Sequence, residues 1–239
     1  MCKLIFELAE NLGNIEFSDI KYKLQNIVEP ETGYTIGYEI LIDGANLSET
    51  EKSNIYNKQI KHPNAVRSLL NTIQLAIENN KQLPKMLENK KLFINLERSN
   101  LCDYFLLSEL KAFSNLLKEQ STELIIEITE RNSCQSCKRL SDGLLLLNVL
   151  DIPLAADDYD IYTSDFREHE YKSGVYDYIK IRVPKTCQEK RKLAQFFDSI
   201  ENEKVIIENV ETDDQYQFAK SLTPFALQGF HFGDETQFA

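Results

Sequence analysis

The chain has 239 residues, 42% hydrophobic and 27% charged, with 13 Phe and 11 Tyr; that is ample material for a core and excludes a disordered chain. A formal net charge of -11 argues against DNA, RNA or an anionic membrane as partner, because no lysine-rich face can be read that would release counterions from a phosphate backbone. A phosphate ligand would need metal ions to bring the positive charge.

Five cysteines, Cys2, Cys102, Cys134, Cys137 and Cys187, are odd in number in a chain too large to need staples, so no disulfide framework is expected and a reducing cytoplasm fits. The N-terminus lacks the basic flank and long apolar stretch of a signal peptide, and no apolar run approaches the roughly 18 residues of a membrane span. The expectation is a soluble, cytoplasmic protein, with a leader over residues 1–20 and one domain over residues 21–239.

In chain order, Tyr22 to Val28 and Thr35 to Ile42 are β-rich runs separated by Glu29-Pro-Glu-Thr-Gly33, whose Pro and Gly predict a hairpin. Alternation follows. Asn64 to Asn79 carries Ala65, Leu69, Leu70, Ile73, Ala76 and Ile77 at helical spacing; Leu92 to Leu96 is a strand; Phe105 to Leu117 is a helix. Next come the strand Leu124 to Ile128, a helix from Cys134 to Leu150, the strand Ile152 to Ala156, and a loop with at most a short helix up to Ser173. The strand Tyr178 to Val183, the helix Gln188 to Ile200, the strand Val205 to Ile207, the helix Asp213 to Leu222 and the strand Ala226 to Phe230 complete the chain. Eight strands separated mostly by helices predict a TIM-like (βα)8 barrel, with the first hairpin supplying one antiparallel strand. Cys134 and Cys137 have C-x-x-C spacing but no second pair, so they read as ordinary thiols on one helical face rather than as a zinc or redox site.

The strand ends share a peculiarity. Glu39 lies in the second strand, Asn95 ends Leu92-Phe-Ile-Asn, Glu127 ends Leu124-Ile-Ile-Glu, Asp157 and Asp158 follow Ile152-Pro-Leu-Ala-Ala, Lys180 sits in Tyr178-Ile-Lys-Ile, Glu208 ends Val205-Ile-Ile-Glu, and Gln228 precedes Gly229. Taken singly, Glu39 or Glu208 reads as a strand-edge carboxylate paired with a lysine, Asn95 and the Asp157-Asp158 pair as helix caps, and Lys180 as a snorkelling surface lysine. Taken together, independent accidents would not all choose the same end of successive strands. Carboxylates converging on one barrel face repel by about 3 kcal/mol per pair at ~6 Å and an effective dielectric of ~20, which divalent cations would relieve. Carboxylate and amide oxygens, with no His or Cys at ligand spacing, select Mg²⁺ or Mn²⁺ over structural Zn²⁺.

These runs resemble the EAL-domain family, phosphodiesterases that hydrolyse the bacterial second messenger cyclic di-GMP. Gly37-Tyr-Glu-Ile-Leu41 stands for the family's G-Y-E-A-L, Phe93-Ile-Asn-Leu96 for its V-N-L strand, Ile126-Glu-Ile-Thr-Glu130 for E-I-T-E, Asp157-Asp-Tyr159 for D-D-F, Ile179-Lys-Ile181 for K-I-D, Glu208-Asn-Val-Glu211 for E-G-V-E and Gln228-Gly-Phe230 for Q-G-Y/F. The resemblance runs from about residue 22 to about residue 232, in family order. It implies that Glu39, Asn95, Glu127 and Asp157 hold one metal and that Asp157, Asp158 and Glu208 hold a second. Lys180 would orient the attacking water, Glu211 and Gln228 would position waters and ligands, Glu130 would anchor the loop after the fifth strand, and Gln25 and Leu41 would contact the nucleotide. The implied activity is metal-dependent hydrolysis of cyclic di-GMP to linear pGpG by a stand-alone enzyme, with a homodimer as a candidate assembly.

The sequence also departs from the family. Asp43 replaces a phosphate-contacting arginine, which predicts repulsion. The loop D-D-F-G-T-G-Y is here Asp157-Asp-Tyr-Asp-Ile-Tyr-Thr-Ser164, without its glycines. Arg182 replaces the acid of K-I-D, Asn209 the glycine of E-G-V-E, and Asn26 the proline of Q-P-I. These changes predict weak turnover and set a second reading beside it, a catalytically degenerate regulator of the same family that senses the nucleotide or binds a partner protein. A third reading, an unrelated metal-dependent barrel enzyme, would act on another phosphodiester.

Overall fold

The first hairpin forms where Pro30 and Gly33 predict it. In the computed structural model, described for residues 20–44, 48, 55, 61–80, 82–131, 137–200, 204–233 and 235–237, β1 (Tyr22–Val28) and β2 (Thr35–Ile42) run antiparallel with Gln25 opposite Glu39. Gly33 takes φ +71° in the turn, a conformation open to glycine, and its N–H donates to Glu29 O at 2.9 Å. The expected leader lies outside the described residues, except for Ile20 at its end, and so do Cys2 and Cys134.

From β2 the sheet continues in sequence order through β3 (Lys91–Leu96), β4 (Glu123–Ile128), β5 (Leu154–Ala156), β6 (Tyr178–Arg182), β7 (Lys204–Glu208) and β8 (Ala226–Gln228), each parallel to the one before. β8 then pairs with β1, Ile27 opposite Gln228, which closes the barrel with β1 as its antiparallel member. All eight expected strands are present. A further strand, β9 (Thr236–Gln237), lies against Lys23 and Leu24 of β1; two residues are too few for any periodicity to reveal it.

The helices follow their apolar stripes. α1 (Pro63–Asn79) buries Ala65, Val66, Leu69, Leu70 and Ile73, with Pro63 in its first turn and His62 Nδ1 accepting from Asn64 N as cap. α3 (Tyr104–Glu119) buries Leu106, Leu110, Phe113 and Leu117 and is capped by Asp103. α6 (Cys187–Ser199) is capped by Thr186, and α7 (Asp213–Ser221) opens with a capping box of Thr212 and Gln215. α5 (Glu168–Lys172) is the short helix foreseen before Ser173. α2 (Gln82–Leu87) is not among the expected elements; Pro84 occupies its first turn, where a missing N–H costs no helical hydrogen bond. α4 (Lys138–Val149) begins after Cys137, which occupies the cap position, so the expected start at Cys134 falls outside the described residues. Among the described residues, no helix is long and apolar enough to cross a membrane.

Strand alternation divides the core in two. Leu92, Ile94, Leu124, Ile126, Leu154, Ile179, Ile181, Val205 and Ile207 face outward into the helices, whereas Ile27, Phe93, Ile125, Ala155, Tyr178, Ile206 and Ala226 form one apolar layer inside the barrel. Gly37 leaves room for that layer, since a Cβ there would stand 3.3 Å from Phe93 Cε2 and 2.8 Å from Lys91 O. Phe93 meets Tyr178 edge to face at 5.8 Å between centroids. Phe93→Ala should therefore cost about 3–5 kcal/mol in urea unfolding, whereas Phe105→Ala, at a ring 83% exposed, should change stability by no more than about 0.5 kcal/mol.

Candidate functional site

Two residues beyond the interior apolar layer, the same alternation brings polar side chains inward. Phe93 is followed by Asn95, Ile125 by Glu127, Ala155 by Asp157, Tyr178 by Lys180, Ile206 by Glu208 and Ala226 by Gln228. On β2, Glu39 follows Gly37, and on antiparallel β1, Gln25 precedes Ile27 by the same step. The polar layer thus sits on the apolar one at the C-terminal ends of the parallel strands.

Lys180 is its centre. Only 1% exposed, its Nζ lies 2.8 Å from Glu39 Oε2, 2.9 Å from Glu127 Oε1, 3.4 Å from Asp157 Oδ1 and 3.4 Å from Glu208 Oε2. Burial alone would lower its pKa, but the surrounding carboxylates hold the ammonium well above its ordinary value. Glu39 is the best satisfied of the acids: Asn95 Nδ2 donates to its Oε1 at 2.7 Å, and Lys180 Nζ and Gln228 Nε2 donate to its Oε2 at 2.8 and 2.6 Å. Burial pushes Glu39 up, yet the charge of Lys180 and these donors outweigh it and leave the carboxyl below its usual range. The others go the opposite way. Burial first, and then the charge of Glu39, raises Glu127 well above the carboxylate range; burial likewise raises Glu208, and brings Asp157 to about 6 despite Lys180.

One lysine cannot balance four acids. Glu127 Oε2 and Glu208 Oε1 are buried and accept no hydrogen bond from the protein, and the Glu130 Oε2 and Gln228 Oε1 atoms are in the same condition. Glu130, Asp157 and Asp158 each bring a carboxylate oxygen within 4.8 Å of the others. Orphaned buried oxygens in an all-oxygen donor set fit hard divalent cations.

The cleft above the cluster has a volume of about 500 Å³ and is lined by Gln25, Glu39, Leu41, Asn95, Asp157, Asp158, Lys180, Glu208 and Gln228 among others. Ten of the twelve expected site residues therefore share one place: these nine and Glu127, buried beneath them through Lys180. Glu130 joins at the edge, beside Asp157 and Asp158. Glu211 is exposed at the start of α7, outside the described lining, with its N–H donated to Gln215 Oε1 at 2.8 Å.

Sequence reasoning missed Arg167. Wholly buried, it donates from Nη1 to Ile128 O at 3.0 Å and from Nη2 to Asp158 O at 3.3 Å, tying the ends of β4 and β5 together. Its Nε and Nη2 grip Asp165 Oδ1 and Oδ2 at 2.9 and 2.8 Å. Burial would raise Asp165, but the Arg167 hydrogen bonds and charge hold it below its ordinary value. The only available signal was an arginine close to an aspartate in a loop.

The sequence matches the family model of the EAL domain over residues 7–235. The chain belongs to the EAL-domain family. No curated protein matches it. Among solved structures, Klebsiella pneumoniae BlrP1 with calcium and cyclic di-GMP aligns at TM-score 0.66 and 19% identity, over 95% of this chain and 59% of that one. The PaMucR phosphodiesterase in complex with cyclic di-GMP aligns at TM-score 0.63 and 21% identity over 91% and 97%. The EAL domain of Mycobacterium smegmatis DcpA aligns at TM-score 0.66 and 17% identity over 93% and 94%. The chain spans less than two thirds of BlrP1 and nearly all of the other two.

The structure gives a physical account of three departures from the EAL pattern. Asn209, in place of a glycine, has φ +60°, which asparagine tolerates better than most residues. Asp43 is not among the described residues lining the cleft, and its carboxylate accepts from Gln237 Nε2 on β9. The loop without glycines is braced by Asp160, whose Oδ1 accepts from Tyr162 N and Thr163 N at 2.8 and 3.1 Å, and by Arg167.

Arg167→Met should strand Asp165 in a site 4% exposed and cost about 3–5 kcal/mol, with part of the loss recovered in the Asp165→Asn/Arg167→Met pair. Because Asp165 has a lowered folded pKa, its share of stability is complete above about pH 4 and fades as pH falls through the folded value. Urea unfolding against pH should show that acid limb in the parent and a flatter one in the pair.

Proposed function

We propose that this EAL-domain chain hydrolyses cyclic di-GMP to linear pGpG with Mg²⁺ or Mn²⁺. The carrying observation is the Lys180-centred carboxylate cluster with its unsatisfied buried oxygens on Glu127 and Glu208. Glu39, Asn95, Glu127 and Asp157 would hold one cation, and Asp157, Asp158 and Glu208 the second. When bound, such a pair lowers the pKa of a water and neutralises charge developing on a phosphodiester.

The chain's own side chains supply the positioning. Lys180 keeps its proton amid four carboxylates, so it serves as a donor that orients the attacking water and not as the base. Gln228 and Asn95 fix Glu39 from both of its oxygens, and Gln25 fixes Gln228 by accepting from its Nε2 at 2.6 Å. Leu41, Tyr22, Leu69 and Phe230 give the cleft an apolar wall suited to nucleobases. The calcium and cyclic di-GMP held by BlrP1, and the cyclic di-GMP held by PaMucR, support the same ligand here.

Incubating the chain with cyclic di-GMP and Mn²⁺ or Mg²⁺ should yield pGpG, EDTA should stop the reaction, and Glu39→Gln should slow it by about a hundredfold or more. Chromatography of the products reads the outcome. Nucleotide binding with no pGpG after hours at high enzyme would make the chain a receptor, and binding of metal without nucleotide would favour a protein-binding regulator.

A further inference from the structure

Spacing in the sequence pairs Cys137 with Cys134, but the fold brings it to Cys102, 35 residues earlier, with the two Sγ atoms 4.0 Å apart. Main-chain packing imposes the contact. Cys102 ends the 3₁₀ helix Arg98–Cys102, directly before Asp103, whose Oδ1 caps α3 by accepting from Leu106 N at 3.1 Å. Cys137 is the N-cap residue of α4, its carbonyl accepting from Leu140 N at 2.9 Å. Beside them the two backbones touch. A Cβ on Gly143 of α4 would stand 2.1 Å from Leu101 O, so glycine at that position lets the helix settle against the residue before Cys102.

We propose that Cys102 and Cys137 are a redox-modifiable pair, closed to a disulfide by a hydroperoxide and reopened by a dithiol; this stands independently of the phosphodiesterase reading. A disulfide bond of ~2.05 Å requires the sulfurs to approach by about 2 Å, through rotation about the two Cα–Cβ bonds. Cys137 is partly exposed and caps the positive end of the α4 dipole, which stabilises an attacking sulfur anion, whereas Cys102 is buried. The Cys137 sulfur therefore attacks a peroxide oxygen first. The O–O bond breaks, one water leaves, and Cys137 carries a sulfenic acid. Cys102 Sγ then attacks that sulfur, the S–O bond breaks and a second water leaves. The two thiols lose two electrons and two protons, and hydrogen peroxide is reduced to two waters. A dithiol reverses the step by exchange, becoming a disulfide itself. The new bond joins the segments after β3 and β4 where Arg131 Nε and Nη2 already donate to Glu97 Oε1 at 3.0 and 2.8 Å. It thus constrains the unfolded chain more than it alters the folded one.

The test treats the reduced full chain with a small excess of hydrogen peroxide and maps its linkages by mass spectrometry of non-reduced peptides. The parent is compared with Cys102→Ala, Cys137→Ser and a variant whose other cysteines, Cys2, Cys134 and Cys187, are serine. In the parent and in the last variant, the peptides holding Cys102 and Cys137 should be recovered joined, two hydrogens lighter than the separate thiols, and dithiothreitol should part them. The thermal midpoint of the oxidised chain should rise by about 5 °C or more and return on reduction, a change absent from Cys102→Ala and Cys137→Ser. Mapping on the parent decides the matter even where a variant folds poorly. A parent in which Cys137 is joined instead to Cys134, or carries a sulfinic acid beside an unjoined Cys102, overturns the proposal. Zinc retained by the reduced parent and lost from Cys102→Ala overturns it too, because the pair would then be metal ligands.

Discussion

Everything at the open end of this barrel depends on one ammonium group held among four carboxylates. Lys180 is affordable inside the barrel only because Glu39, Glu127, Asp157 and Glu208 surround it, and an isolated buried charge would neutralise instead. The reverse is not true. Four acids exceed one lysine, and carboxylates ~6 Å apart still repel by about 3 kcal/mol per pair at an effective dielectric of ~20. The protein distributes this excess unevenly: Glu39 takes the donors and stays ionised, whereas Glu127 and Glu208 bind protons more tightly than ordinary carboxyls. The charge imbalance that is costly for the protein alone is what makes the cluster attractive to cations.

The barrel makes such a cluster feasible by stacking layers. An interior ring of Ile27, Phe93, Ile125, Ala155, Tyr178, Ile206 and Ala226 seals the space beneath, so the charges above lie over a dry floor where electrostatic interactions are strong. One step of two residues separates floor from site on every strand that contributes. A slip of one residue in any strand would exchange a site residue for a helix-facing aliphatic one, so the packing against the helices fixes the chemistry as firmly as the cluster's own hydrogen bonds do.

That regularity explains what could be read from the residues. Asn95, Glu127, Lys180 and Glu208 each interrupt an apolar strand at the alternation step that points inward, and a buried polar residue in that position carries information because it is costly. Asn209 read only as a departure from a family glycine; that it stands at φ +60°, where asparagine can replace glycine, is visible in the backbone alone. Arg167 was not readable. Its acceptors are the carbonyls of Ile128 and Asp158, backbone atoms present at every position, so nothing in the neighbouring residues announces the contact. The contact between Asp43 and Gln237 was hidden for a related reason: Gln237 lies on a two-residue strand that no periodicity reveals. Glu211, legible as a motif acid, lies past the end of its strand, where alternation no longer decides which way a side chain points.

The loop after Asp158 lacks the family's glycines and is held by side chains instead. Asp158 sits at φ +46°, a left-handed conformation that costs a non-glycine residue of order 1 kcal/mol and persists only when its surroundings impose it. Arg167 holds the Asp158 carbonyl and, with the same guanidinium, that of Ile128, so it ties together the two strand ends that present Glu127 and Asp157. Glycines would have given this loop freedom to bend; a buried arginine and the Asp160 turn give it a single shape. The acids of the cluster are therefore placed by rigid neighbours, and a ligand entering the cleft meets donors and carboxylates whose geometry is set before it binds.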